Sequence, residues 1–203
     1  MDIVARVKNI LLSPVKEWGV IDGESATVNS LYTHYAVFLA LIPAVAGFIG
    51  NSLIGMTAFG ITVRTPIISG LVMAIMTYAL ALGMLYVMAL IINALAPQFD
   101  TKPNLVQALK VAVYSATPAW VVSALMIIPA LAPLVVLGSI YSLVLYWLGL
   151  PKLMKVPEEK KIVFNIVVLV SVIVVGVVLA FIVGSIGASF GVGSVSMTAP
   201  RAW

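Results

Sequence analysis

The chain has 203 residues, of which 63% are apolar and 9% are charged, with a formal net charge of +4. A soluble domain is roughly 45–50% apolar and about 25% charged, so this composition excludes an ordinary soluble fold. The basic residues lie in short loops beside apolar segments, which argues against nucleic acid as a partner. Cysteine is absent, which excludes disulfides and thiolate metal sites.

Residues 1–30 are predicted to form a cytoplasmic segment with a short amphipathic helix. Its apolar positions follow helical spacing, and Asp2, Arg6 and Asn9 lie away from them. The helix is predicted to lie on the cytoplasmic leaflet, and the alternative that it packs under the bundle as a cap stays open. The apolar positions are Ile3, Val4, Val7, Ile10 and Leu11.

Long intervals without charge predict five transmembrane helices, because about 20 residues span the hydrocarbon of a bilayer. The interval 111–151 is too long for one span, and Pro129 and Pro133 favour a turn that divides it. Residues 31–186 are therefore predicted to form one all-α, five-helix transmembrane domain, followed by a flexible tail outside the cytoplasm at 187–203. The predicted spans are 31–53, 67–95, 111–128, 133–150 and 162–186.

The distribution of basic residues predicts a cytoplasmic N-terminus and an outer C-terminus. Five spans place only Arg64 and Arg201 outside, whereas merging the third and fourth spans would abolish this bias. The last span is rich in valine and isoleucine, but helix is predicted because an open strand edge is not viable in lipid. The basic residues placed inside are Arg6, Lys8, Lys16, Lys102, Lys110, Lys152, Lys155, Lys160 and Lys161.

The predicted spans contain no Asp, Glu, Lys or Arg, and the chain has a single histidine. This pattern predicts neither an enzyme site nor a cofactor, and it disfavours ion-coupled transport. One alternative concerns methionine, because thioethers bind soft Cu(I). The methionines of the second span that share a helix face are Met73, Met76, Met84 and Met88. Methionine also fills irregular gaps between helices, and this is the favoured interpretation.

The segment 151–161 is the most charged loop, and its lysines could contact anionic lipid headgroups or a cytosolic partner. The alternative is a topological signal only. Repeated small residues predict close helix packing, within the chain or between copies. Pro43 and Pro118 are predicted to kink their spans. The basic residues of the loop are Lys152, Lys155, Lys160 and Lys161.

Short motifs, in order along most of the chain, resemble the Yip family of five-span Ypt/Rab-interacting membrane proteins, in its bacterial inner-membrane YohC-like branch. They include Leu12-Ser-Pro14-Val-Lys-Glu-Trp18, His34-Tyr35, Tyr114-Ser-Ala-Thr-Pro118 and Leu145-Tyr146-Trp-Leu-Gly149. The resemblance implies a helical bundle in the inner membrane with a cytoplasmic N-terminus. Its eukaryotic members are linked to small GTPases, vesicle traffic and membrane shape.

The chain departs from the eukaryotic motifs in two places, which weakens the case for a small GTPase partner. Only Leu12-Ser-Pro14 corresponds to an acidic-leucine-Tyr-Gly-Pro motif, and Val113 replaces the glycine of a Gly-Tyr-x-x-x-Pro motif. The leading hypothesis is a non-enzymatic protein that acts by association with lipids, with membrane proteins or with a second copy. The alternative is a channel or carrier for a small ion or neutral solute.

Overall fold

The computed structural model describes residues 2–58, 61–189 and 196–198. Within those residues, five helical segments are long and apolar enough to cross a membrane. The predicted five-span helical class is therefore confirmed, whereas the side on which each terminus lies stays a prediction. The segments are Val28–Ile54, Ile67–Phe99, Leu105–Ile127, Pro129–Met154 and Glu158–Ile182.

Two short helices precede the first span, α1 at Ile3–Leu12 and α2 at Pro14–Gly23. The carboxylate of Asp2 accepts a hydrogen bond from the amide of Val4 at 2.9 Å, so it caps the first turn of α1. Pro14 occupies the first turn of α2, where its fixed φ suits the helix and its missing amide costs nothing.

The first span combines α3 at Val28–Leu31 and α4 at Val37–Phe48 with two π-helical segments. A capping box begins it, in which the amide of Ser30 donates to Thr27 Oγ1 at 3.1 Å. Pro43 lies inside α4. Of the repeated small residues, those of the first span are buried within the chain itself, and they are Ala36, Ala40 and Ala44. The π-helical segments are Tyr32–Ala36 and Ile49–Ile54.

A small antiparallel sheet, which the sequence analysis did not predict, precedes the second span. Strands β1 at Met56–Ala58 and β2 at Ile61–Arg64 pair, and β3 at Ser196–Thr198 adds to the other edge of β2. The third strand belongs to the predicted tail, of which 190–195 and 199–203 lie outside the described residues. Helix α5 then runs over Ile67–Leu95 and continues as a 3-10 turn to Phe99.

The third span consists of α6 at Leu105–Ser115, α7 at Thr117–Val122 and a 3-10 helix to Ile127. Pro118 lies in the first turn of α7, directly after the break. The span begins before its predicted start at 111, because Asn104 Oδ1 accepts from the amide of Gln107 at 3.1 Å and caps α6. Lys110 consequently lies inside α6.

A 3-10 helix at Pro129–Leu134 leads into α8 at Val135–Met154, and α9 follows at Lys161–Ser189. The valine-rich fifth span is a helix, as predicted, since its backbone groups bond within the segment. Phe164 and Val168 of α9 are buried against the bundle, and many other apolar side chains of α9 are exposed on the surface that lipid would cover.

Candidate functional site at the N-terminal end of the bundle

One end of the bundle, which we call the N-terminal face, brings together the α1–α2 pair, the loop between α5 and α6 and the loop between α8 and α9. The loop after α5 contacts the loop before α9 through an ion pair between Asp100 and Lys160. Thr101 Oγ1 donates to the carbonyl of Met154 at the end of α8. Gln107 Nε2 in α6 donates to Asp22 Oδ1 of α2 at 3.2 Å.

Arg6 lies at the centre of a buried ion cluster on this face. Its guanidinium forms ion pairs with Glu17 in α2 and with Glu24 just after α2. The side chains of Arg6 and Glu17 are only 5% and 8% exposed. The guanidinium carbon also lies 5.6 Å from the centroid of the Tyr114 ring, within cation–π range.

The ion pairs keep the Arg6 side chain charged despite its burial. Burial alone disfavours the charged form, but the hydrogen bond to Glu24 and the nearby carboxylates outweigh it and raise the pKa of Arg6 above its ordinary value. The placement of Arg6 on the solvated face of α1 was therefore wrong. The helix turns Arg6 and Ile10 inward, because Glu17 and Glu24 supply the partners that a buried guanidinium needs.

Aromatic packing continues the cluster into the bundle. The Tyr114 ring centroid lies 4.9 Å from that of Tyr35, and the Tyr35 hydroxyl bonds Thr117 Oγ1 at 2.9 Å. Trp18 approaches Tyr114 edge-on at 6.4 Å. A Cβ at Gly149 would lie 2.5–2.7 Å from three atoms of the Trp18 indole, so glycine is the residue that lets α2 pack this closely on α8.

Lys110 and Gln107 of α6 hold the carboxyl end of α2. Lys110 Nζ donates to the carbonyls of Ile21 at 2.8 Å and Glu24 at 2.6 Å. These carbonyls carry the partial negative charge of a helix C-terminus, which a buried ammonium complements. Arg6, Glu17, Glu24 and Lys110 together join the first thirty residues to the third span.

The helix pair does more than cover the end of the bundle. The hydroxyl of Tyr141 donates to the carbonyl of Leu11 at 2.7 Å. Tyr141 lies in the first half of α8, roughly 20 Å of helix rise before its end at Met154. The junction of α1 and α2 therefore reaches alongside the middle of the fourth span.

The outer surface of this helix pair is apolar and basic. The side chains of Val4, Leu12 and Val15 are 75%, 71% and 71% exposed. Lys8 and Lys16 are also exposed. Within the part of the chain that the structure describes, neither lysine forms an ion pair with a carboxylate. The carboxylates of Glu17 and Glu24 point inward to Arg6 instead.

A cavity of about 340 Å³ lies between the second, third, fourth and fifth spans. Its walls are mainly apolar, and the hydroxyls that line it already have partners. Ser115 donates to the carbonyl of Val111, Ser142 Oγ accepts from the amide of Ala119 at 3.1 Å, and Tyr146 donates to the carbonyl of Asn165 at 2.8 Å.

The predicted methionine face is divided between two places. Met84 and Met88 line the cavity just described, whereas Met73 lines a second cavity of about 230 Å³ near the sheet, and Met76 is half-buried elsewhere on α5. No group of three or more His, Asp or Glu suited to a metal occurs among the described residues.

The four lysines predicted to contact lipid or a partner fall into two classes. Lys160 and Lys161 are ion-paired, with Asp100 and Glu158. Lys152 and Lys155 are exposed at the end of α8.

Two residues of the family motifs lie here, Tyr114 against Arg6 and Gly149 against Trp18. The sequence pattern did not identify Arg6, Glu17 and Lys110 as members of the cluster. Glu17 lies in α2 and Glu24 directly follows the helix, and these two nearby carboxylates were a usable signal for a cationic partner.

Comparison with known proteins agrees with this architecture. Residues 8–192 match the family model described as the Yip1 domain. The chain is 28% identical over 185 residues to the inner membrane protein YohC of Escherichia coli K12, covering 89% of this chain and 95% of that protein. The match to YohC of the O6:H1 strain CFT073 has the same identity and coverage. No solved structure matches significantly. The predicted inner-membrane location agrees with these relatives, and the chain belongs to the Yip1 domain family.

Proposed function

We propose that the protein acts by association with lipid, as a membrane-organising protein whose α1–α2 pair is embedded in one leaflet of the inner membrane. The observation that carries this proposal is the hydrogen bond from Tyr141 to the carbonyl of Leu11. It holds the α1–α2 junction beside the middle of the fourth span, and a junction at that height on a membrane-spanning helix would be surrounded by lipid.

The surface chemistry of the pair suits this position. Val4, Leu12 and Val15 present apolar side chains outward, and apolar surface in contact with acyl chains avoids the cost of contact with water. Lys8 and Lys16 have long apolar stems that let their ammonium groups reach headgroups. A leaflet rich in anionic lipid attracts each such charge by about 1 kcal/mol.

Two structural features favour association over transport. The charges of the cluster neutralise one another, and the hydroxyl groups of the 340 Å³ cavity are hydrogen-bonded within the protein. A permeating ion would find few free ligands there. A pair of helices in only one leaflet adds area to that leaflet, which couples such a protein to membrane curvature.

The experiment uses the natural absence of cysteine to label single positions. The full chain with Leu12→Cys carries a fluorophore and is reconstituted in liposomes, and Ser25→Cys, at an exposed position after α2, is the matched control. We expect nitroxides on the acyl chains to quench the label at position 12 and a water-soluble quencher to reach the label at position 25.

A second variant tests the basic residues. Lys8→Glu combined with Lys16→Glu should weaken acyl-chain quenching at position 12 in liposomes that contain phosphatidylglycerol. If the label at position 12 is as accessible to the water-soluble quencher as that at position 25, the helix pair is not embedded and the proposal fails.

A further inference from the structure

A third cavity, of about 620 Å³, opens on the N-terminal face and is separate from the outer surface of the α1–α2 pair. It lies between the loop after α5, the beginning of α6 and the end of α8. The residues lining it are Asp100, Thr101, Lys102, Pro103, Asn104, Gln107, Leu153, Met154 and Lys155.

The charge of this cavity is positive. Lys102 and Lys155 line the cavity and are exposed. Among residues 2–58, 61–189 and 196–198, neither lysine forms an ion pair with a carboxylate. Asp100 also lines the cavity, but Lys160 forms an ion pair with its carboxylate. Two ammonium groups therefore share this space with an acid that is already neutralised.

Helix α6 adds to the positive potential. It is 11 residues long and begins at Leu105, on the wall of the cavity. The side chain of its capping residue, Asn104, accepts a hydrogen bond from only one amide of the first turn, that of Gln107. The amides of the first turn and the helix dipole favour an anion at this position.

Gln107, which also lines the cavity, indicates a second property of the ligand. Its Nε2 donates to both Oδ1 and the carbonyl of Asp22, at 3.2 and 3.3 Å, which fixes the orientation of the amide. Its Oε1 is consequently an acceptor, and it is buried without a hydrogen-bond partner in the described structure. A complementary ligand would carry a hydrogen-bond donor as well as negative charge.

The backbone is also unusual here. Asp100 and Lys155 are the non-glycine residues with positive φ in the described chain, both at 54°, and both line the cavity. This conformation costs a side-chain-bearing residue roughly 1 kcal/mol. In Lys155 it ends α8 and leaves the lysine on the cavity wall.

We propose that this cavity binds a phosphate group that carries a hydrogen-bond donor, the chemistry shared by the headgroup of phosphatidylglycerol and a free phosphate. Lys102 and Lys155 contact the phosphate oxygens, and Gln107 Oε1 accepts from the donor. This site goes beyond the proposed embedding of α1–α2, since it uses different residues and holds one headgroup rather than a lipid surface.

The test is a titration of the purified, delipidated full chain in neutral detergent, followed by native mass spectrometry. The probes are short-chain phosphatidylglycerol, short-chain phosphatidylcholine and inorganic phosphate. We expect one saturable adduct with phosphatidylglycerol or with phosphate, and which of the two binds distinguishes a lipid headgroup from a free phosphate. Saturation by neither probe overturns the proposal.

Substitutions at the cavity test whether the phosphate group binds there. Lys102→Gln with Lys155→Gln should weaken binding at least about tenfold, because charge-assisted hydrogen bonds are lost. Lys102→Arg with Lys155→Arg should retain it. Lys152→Gln is the matched control, since Lys152 is exposed on the same helix but does not line the cavity. An equal loss in Lys152→Gln would indicate unspecific charge attraction and overturn the assignment.

Different variants distinguish failure of the proposed α1–α2 embedding from failure of the proposed phosphate site. Lys8→Glu with Lys16→Glu should leave phosphate-group binding within about twofold, while the glutamine pair at positions 102 and 155 should leave quenching at position 12 unchanged.

Discussion

The guanidinium of Arg6 donates to the carboxylate of Glu17, and both side chains are almost completely buried although neither belongs to a membrane span. A buried ion pair is costly to form but still more costly to break, because the remaining charge keeps its desolvation without its partner. This pair therefore controls whether the α1–α2 helices stay attached to the bundle.

Arg6→Leu should detach the helix pair. The change leaves Glu17 buried and unpaired, at a cost of about 3 kcal/mol in the free energy of unfolding. Thermal unfolding in detergent and protease sensitivity of residues 1–30 measure the effect. Lys8→Leu, at an exposed position on the same helix, is the control and should change little. Equal stability of the two variants would contradict a structural role for the ion cluster.

The contribution of the Arg6 ion pairs to the attachment of the helix pair should not change between about pH 7 and about pH 10. The pKa of Arg6 is raised, so its contribution is present below its ordinary value and is lost only at still higher pH. A lysine at this position has an ordinary pKa of about 10.4. Arg6→Lys should therefore lose protease resistance as the pH rises toward that value. A wild-type protein with the same pH profile as Arg6→Lys would refute this explanation.

Gly149→Ala should weaken the packing of α2 on α8. The added Cβ would lie 2.5 Å from Trp18 Cζ2, and overpacking of this kind costs about 1–3 kcal/mol. The melting temperature and the tryptophan emission of the protein should both change. Gly83→Ala is the control, because no heavy atom lies within 4 Å of its added Cβ. Similar behaviour of the two variants would mean that Gly149 is not needed for close approach.

Lys110→Met should loosen the carboxyl end of α2. Two hydrogen bonds from a charged donor to the carbonyls of Ile21 and Glu24 disappear, which corresponds to a loss of about 1.5–3 kcal/mol. Hydrogen exchange in α2 should accelerate. Lys16→Met, at an exposed position, should leave this exchange unchanged, and unchanged exchange in both variants would show that Lys110 does not hold α2.

Liposomes that contain the purified protein should show no saturable flux of monovalent ions above that of empty liposomes. The main intramembrane cavity is apolar at most positions, and Ser115 and Tyr146 within it already donate to backbone carbonyls. Saturable flux would instead support the channel or carrier alternative, and Trp120 on the cavity wall would be the first residue to replace.

Much of the fold could be predicted because the bilayer imposes it. Long uncharged intervals must form helices that satisfy their own backbone groups, so the five spans follow from the positions of the charged residues and from the prolines at 129 and 133. The pairing of β1 with β2 carried no such constraint. The third strand could not be predicted either, because its pairing with β2 joins residues distant in the chain.

The candidate site likewise contains residues that the sequence pointed to and contacts that only the tertiary structure revealed. Tyr114 and Gly149 stood out in motifs, but the role of Gly149 depends on Trp18, which only packing brings to it. Periodicity placed Arg6 on the outer face of α1, since a charged residue usually prefers water.

The sequence by itself determined the class of protein, the number of spans and the family, because hydrophobic length and motif order are local properties of a chain. Only the tertiary structure decided that Arg6 turns inward and that Leu11 reaches Tyr141. Burying a charge becomes favourable only when partners from other segments surround it, and no local pattern records where Glu17, Glu24 and Tyr114 will meet.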